Sequence, residues 1–177
     1  MKVKNNIGGG IWSMTTGSYM TASENQTSTL MARDYKDPQL VGYESEEPDS
    51  YTGLQYIVRR LTPTECERLQ GYPDGWTDIG TWDDSKGKMH KNSADNARYK
   101  ALGNSIALPP WMYVLRKLSV CCGSDCTMAS LFDGIGGFPL IWEHLNGAGS
   151  CKWASEIEEF PIAVTKKRFK ETEVQYE

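Results

Sequence analysis

The sequence predicts an α/β fold with a pair of parallel strands, and three observations carry that prediction. Met128-Ala129-Ser130-Leu131 is a short apolar run of the kind that a parallel sheet buries. Gly134-Ile135-Gly136-Gly137 then breaks the run, and apolar residues resume at helical spacing at positions 138, 141, 142 and 145, with Pro139 just inside the helix start. A second apolar strand, residues 150–155, ends at Glu156, 23 residues beyond Asp133. Strand, glycine turn and helix in this order bring bare backbone N–H groups close to a nucleotide-like ligand. An acid about 20 residues on, at the tip of the next strand, is placed to accept hydrogen bonds from ribose hydroxyls. Together these features point to an adenosine-containing cofactor.

A chain of 177 residues can bury a core of its own, and its six Trp and nine Tyr argue against disorder. The net charge of −4 supplies no global attraction for nucleic acid, so any such contact is local. No apolar run reaches the roughly 18 residues of a membrane span, and no signal-peptide core opens the chain. Five cysteines, an odd number with Cys121 and Cys122 adjacent, fit a reducing cytoplasm better than a disulfide framework. Zinc is disfavoured, because the spacing of Cys121, Cys122, Cys126 and Cys151 repeats no ligand hairpin. Neither His90 nor His144 has an evident partner.

The first fifty residues read as loop-rich, with a glycine cluster at 8–10, a Thr/Ser/Asn-rich stretch and one possible strand at 39–41. A strand over 54–58 leads to a well-punctuated helix. Thr62 is its N-cap, Pro63 opens it, Glu65 closes a capping box and Gly71 stops it. Cys66, inside that helix, reads as a small buried thiol. Residues 77–97 are polar. Within 86–100, Lys86, Lys88, Lys91, Arg98 and Lys100 face only Asp95, a local excess of cations explained by a solvated loop or by phosphate contact. Gly103-Asn104-Ser105 reads as a tight turn rich in donors. Residues 111–118 read as a helix burying positions 111, 114, 115 and 118, and 119–127 as a linker. A last helix spans 160–169 with Lys166, Lys167, Arg168 and Lys170 at its C-terminal end.

Four stretches together resemble the C5 cytosine DNA methyltransferases. Leu131-Phe132-Asp133-Gly134-Ile135-Gly136-Gly137 is similar to the family's first motif, and Trp153-Ala154-Ser155-Glu156-Ile157 to its second. Residues 60–73, Arg-Leu-Thr-Pro-Thr-Glu-Cys-Glu-Arg-Leu-Gln-Gly-Tyr-Pro, resemble the ninth, and Tyr99-Lys100-Ala101-Leu102-Gly103-Asn104-Ser105 the tenth. The resemblance implies S-adenosylmethionine as cofactor, double-stranded DNA as partner and an incomplete Rossmann-like methyltransferase sheet beside a loop-rich N-terminal half. The implied cofactor residues are Phe132, Asp133, Gly134, Ile135, Gly136, Gly137, Glu156 and Ile157, joined by Asn104 and Ser105. Phe132 would stack on the cofactor, a plain core Phe being the alternative. Arg33, Lys36, Lys88 and Lys91 are the candidate DNA contacts. The implied division places the tail of a target-recognition region at 1–53. The recognition-domain support, basic loop and Gly-Asn-Ser segment follow at 54–118, and the cofactor unit at 119–177.

The motif order is circularly permuted, because the ninth and tenth precede the first and second. Chain ends that neighbour each other in space permit such a change. The family's nucleophile lies in Pro-Cys-Gln, whereas no Pro here is followed by Cys. Its acid lies in Glu-Asn-Val, and Glu24-Asn25 continues instead to Gln26. The catalytic segment is therefore expected after Glu177 or before Met1, with no turnover by this chain alone and a complementing methyltransferase chain as a possible partner. A non-catalytic module that binds S-adenosylmethionine or DNA and regulates an intact enzyme is the rival expectation. An open apolar face or sheet edge is expected where the sheet is incomplete.

Overall fold

The computed structural model describes residues 12–15, 22–44, 56–123 and 126–169. Its N-terminal part is an antiparallel sheet of four strands in the order β2-β1-β3-β4: β1 (Trp12–Met14), β2 (Ala22–Glu24), β3 (Leu40–Glu44) and β4 (Tyr56–Arg60). The half expected to be loop-rich thus carries a sheet. Strands of three to five residues paired across distant segments leave almost no local periodicity to read.

α1 (Pro63–Gln70) follows at once, and it is punctuated as its sequence requires. Thr62 Oγ1 accepts the Glu65 N–H at 3.2 Å, and Glu65 Oε2 accepts the Thr62 N–H at 2.8 Å. Gly71 closes the helix at φ 85°, a left-handed conformation that glycine adopts without strain. A two-residue hairpin, β5 (Trp82–Asp83) with β6 (Met89–His90), occupies the polar stretch read as loop. Its turn presents Lys86 and Lys88.

α2 (Asp95–Asn104) corrects the expected tight turn at 103–105: Gly103 and Asn104 form the last turn of a helix, and only Ser105 leaves it. Two poor helix formers hid that turn from propensity, and packing against α1 and a 3-10 turn at Ala32–Tyr35 overrides them. α3 (Leu108–Cys122) runs four residues beyond Leu118, so the expected linker shrinks to residues 123–127. Its expected buried stripe is also corrected. Leu115 and Leu108 are buried, but Trp111, Val114 and Leu118 are 40–49% exposed, because α3 packs along one narrow line against the next helix.

The C-terminal unit is β7 (Met128–Leu131), α4 (Gly137–Asn146), β8 (Cys151–Ser155) and α5 (Glu159–Arg168). β7 and β8 pair in parallel, as the α/β reading requires, and form a sheet of two strands among the described residues. Leu131 and Trp153 on this sheet are exposed, an apolar surface of the kind expected of an incomplete sheet. α3 lies against α4, with Trp111 edge-on to Phe138 at 5.0 Å and Ser119 Oγ donating to Asn146 Oδ1 at 2.6 Å. One apolar core runs through both halves, from Val41 and Leu61 through Trp76 and Leu102 to Ile135, Ile141 and Val164.

Candidate cofactor site

The site is built where β7 ends. Phe132 (φ 53°), Gly134 (φ 62°) and Gly136 (φ 82°) are all left-handed, so the chain reverses sharply before α4 begins. The turn is tied to the tip of β8. Asp133 N–H donates to the Ser155 carbonyl at 3.0 Å, and Gly134 N–H donates to Glu156 Oε2 at 2.7 Å. The other oxygen of Glu156 accepts the N–H groups of Ile157 and Glu158 at 2.7 and 2.9 Å. Three backbone donors therefore hold the carboxylate at the strand end, and its remaining lone pairs can accept further hydrogen bonds.

Phe132 is 86% exposed and Ile157 83% exposed, two apolar side chains at the tips of neighbouring parallel strands. That exposure removes the core-residue alternative for Phe132. Ile135 is fully buried, so it can offer a ligand only its main chain. Nothing stands within 4 Å of a Cβ built on Gly134, whereas one on Gly136 would meet the Phe169 ring. Asp133 is buried, and its Oδ1 accepts the Ser130 hydroxyl at 2.5 Å.

A second wall comes from the loop after α1. Trp76 is buried, and its indole Nε1 donates to the Ile135 carbonyl at 2.8 Å, inside the glycine turn. Tyr72 Oη shares a 2.5 Å hydrogen bond with Ser105 Oγ. A Cβ on Gly137 would lie 2.5 Å from that same phenolic oxygen and 3.0 Å from Ile106. The structure thus brings Ser105 to the glycine turn through Tyr72. Asn104 ends α2 beside it and is exposed.

The loop itself is held from beneath by Glu67, which is fully buried. Its carboxylate accepts the Gly75 N–H at 2.6 Å, the Thr77 N–H at 2.8 Å and the Thr77 hydroxyl. Arg98 of α2 completes the cluster, with Nη2 at 3.2 Å from Glu67 and Nε donating to Thr77 Oγ1 at 2.9 Å. From the other side, Arg168 donates to the carbonyls of Gly75, Trp76 and Asp78, and Lys167 to that of Ile79. Sequence reasoning missed Glu67, Trp76, Arg98 and Arg168 as a set. A glutamate on the apolar side of a short helix was the one available signal.

Arg98 therefore leaves the expected basic patch, and Lys100 is paired with Glu158 at 2.8 Å. Lys88 and Lys91 remain exposed around the hairpin. Lys36 is exposed beside the Tyr35 ring, and the side chain of Arg33 lies outside the described residues. His90 has partners after all: it stacks on Trp82 at 4.1 Å and lies 3.2 Å from Asp84 Oδ2. Burial pushes the thiols of Cys66 and Cys151 up to about 12, which makes both unreactive. Among the described residues, no cluster of His, Cys, Asp or Glu could hold a metal, and no helix is long and apolar enough to cross a membrane.

The model of the C-5 cytosine-specific DNA methylases matches residues 2–119. The chain belongs to that family. The matched stretch of this C-5 cytosine-specific DNA methylase chain carries the Tyr72–Trp76 loop, Glu67 and Ser105, while the glycine turn lies beyond it. A DNA N-6-adenine-methyltransferase of Escherichia phage P1 is 37% identical over 119 residues, 56% of this chain and 14% of its own length. Type II methyltransferase M.BanI of Aneurinibacillus aneurinilyticus is 42% identical over 52 residues, 29% of this chain and 9% of its own. The chain thus spans a small part of either relative. Methyltransferases of this family generally use S-adenosylmethionine, and the donor set fits such a group. It offers an anchored carboxylate at a strand tip, two exposed apolar side chains beside it, and one glycine, Gly134, with open space where a side chain would stand.

Proposed function

We propose that this chain forms the cofactor and recognition-support portion of a DNA (cytosine-5)-methyltransferase. The reading is carried by one observation: the family-matched segment docks onto the glycine turn, through Trp76 on the Ile135 carbonyl. In this reading Glu156 takes the ribose hydroxyls, and Phe132 and Ile157 flank the adenine. The main chain of residues 133–137, with Asn104 and Ser105, lines the rest. S-adenosylmethionine, when bound, supplies an electrophilic sulfonium methyl. The chain's own residues bind and orient it. The cysteine that attacks C6 of a flipped-out cytosine belongs to a Pro-Cys-Gln segment that these 177 residues do not contain. Double-stranded DNA would meet Lys36, Lys88 and Lys91 and, in the N-terminal part, Arg33.

Calorimetry tests the cofactor reading. S-adenosylmethionine should bind, and Glu156→Ala should weaken it by about 1.5–3 kcal/mol, the worth of a charged hydrogen bond. Unchanged affinity would overturn the assignment of Glu156. The chain alone should not methylate cytosine. Adding a polypeptide that carries Pro-Cys-Gln should restore transfer to C5, whereas a regulatory module would bind cofactor or DNA without gaining turnover. DNA binding should fall steeply with salt.

A further inference from the structure

Asp133, the first residue inside the turn, has an unusual setting. It is 6% exposed, Ser130 donates to its Oδ1, and its Oδ2 is buried with no hydrogen-bond partner among the described residues. Its main chain is fixed at both ends, the N–H on the Ser155 carbonyl and the carbonyl on the Gly136 N–H. The turn therefore holds the carboxyl group in place, with little of it open to solvent. The titratable groups around it are Glu156 at the tip of β8, Cys151 at its start and Tyr72 from the loop after α1. All of these are acids, and among the described residues no cation offsets a charge on Asp133. Burial first, then Glu156, raise this carboxyl to about 6 against the downward pull of Ser130. A buried carboxylate with a free oxygen and acidic neighbours favours a positive charge beside it, whether a proton or a ligand.

We propose that Asp133 makes binding of a cationic methyl donor proton-linked, with donor and proton competing for one buried carboxylate, so that the pocket prefers the sulfonium donor to its neutral-sulfur product. The proposal rests on the cofactor reading above. No bond is made or broken in the protein beyond the O–H of Asp133, whose proton passes to solvent as the cation arrives.

The test is calorimetry of the full chain with S-adenosylmethionine and with S-adenosylhomocysteine from about pH 5 to about pH 7, below the titration of the ligands' amino group. Two buffers of different ionisation heat report proton release. Wild-type affinity for the sulfonium ligand should fall by up to about tenfold per pH unit below the Asp133 midpoint. The neutral-sulfur ligand should show a shallower slope. Asp133→Asn should flatten the profile, and thermal unfolding checks that this variant is folded. Ser130→Ala removes the hydrogen bond that favours the ionised form, so it should move the midpoint to higher pH. A wild-type profile with no slope and no proton release overturns the proposal, as does an Asn variant that keeps the slope. If neither ligand binds at any pH, the cofactor reading fails, and this inference fails with it.

Discussion

The indole nitrogen of Trp76 donates to the carbonyl oxygen of Ile135 at 2.8 Å, in a buried contact between residues 59 apart in sequence. It joins the loop after α1 to the turn after β7, and the rings of Tyr72 and Phe169 hold the indole at 5.7 and 5.8 Å. Trp76→Phe keeps the aromatic packing and removes the donor. It should cost about 1–3 kcal/mol of stability, the penalty of leaving a buried carbonyl unmet. Urea denaturation measures this, and a loss under a few tenths would mean that the contact is not formed in solution.

Glu67 and Arg98 form a buried pair in which each also serves Thr77. Glu67→Ala leaves the guanidinium only Thr77 and the exposed Asp95, 3.7 Å away, and frees two loop N–H groups, so a loss of about 3–5 kcal/mol is expected. Replacing both partners should cost less than the sum of the single changes. A double-mutant cycle that proved additive would show the two to be uncoupled.

Gly137 sits where the two segments come closest. Gly137→Ala would drive a methyl to 2.5 Å from Tyr72 Oη, so the phenol must move off Ser105 or the turn must shift. Overpacking of this kind costs about 1–3 kcal/mol. Adding Tyr72→Phe should recover part of it by removing the clashing oxygen, and the comparison is read by thermal unfolding.

Two carboxyls shift in opposite directions, and the pH dependence of stability separates them. Asp133 rises from 3.8 to about 6 on folding, so the folded state binds its proton more tightly. That stabilisation is whole below the unfolded value and is lost as pH rises towards 6. Asp133→Asn should therefore stabilise the protein by about 1–2 kcal/mol above pH 7 and by little near pH 4. Glu65 falls to about 2, mainly through the Arg59 guanidinium, with bonds at 2.6 and 2.8 Å. Its contribution is present above about pH 4.5 and is lost as pH falls towards 2. Because the pair is about a third exposed, Glu65→Gln should cost no more than about 1 kcal/mol at neutral pH. Urea titrations at three pH values read both effects.

What could be read in advance follows from range along the chain. Thr62, Pro63, Glu65 and Gly71 act on one another within nine positions, so α1 and both its ends are legible in the sequence. The β7–turn–α4 unit was legible for the same reason, since its glycines and its apolar spacing lie side by side. The four-stranded sheet depends on pairing Trp12 with Gly42 and Leu40 with Arg60, which no local pattern announces. α2 was obscured because Gly103 and Asn104 oppose the helix that packing imposes. The placement of Glu156 against the turn was legible through its distance from Asp133 along the chain. Trp76 was not, because an aromatic in a loop after a helix carries no sign of the carbonyl it will meet.

The narrow contact of α3 on α4 puts the last helix of one segment against the first helix of the other, with Gly123 and Cys126 bracketing the connection. Every other bond between the two segments is non-covalent, from Trp76 on Ile135 to Arg168 on Gly75. A protease nick near residue 124 should therefore leave two pieces that travel together through a sizing column. Evolution can accordingly reorder, fuse or separate the two coding halves without asking the folded surface between them to change.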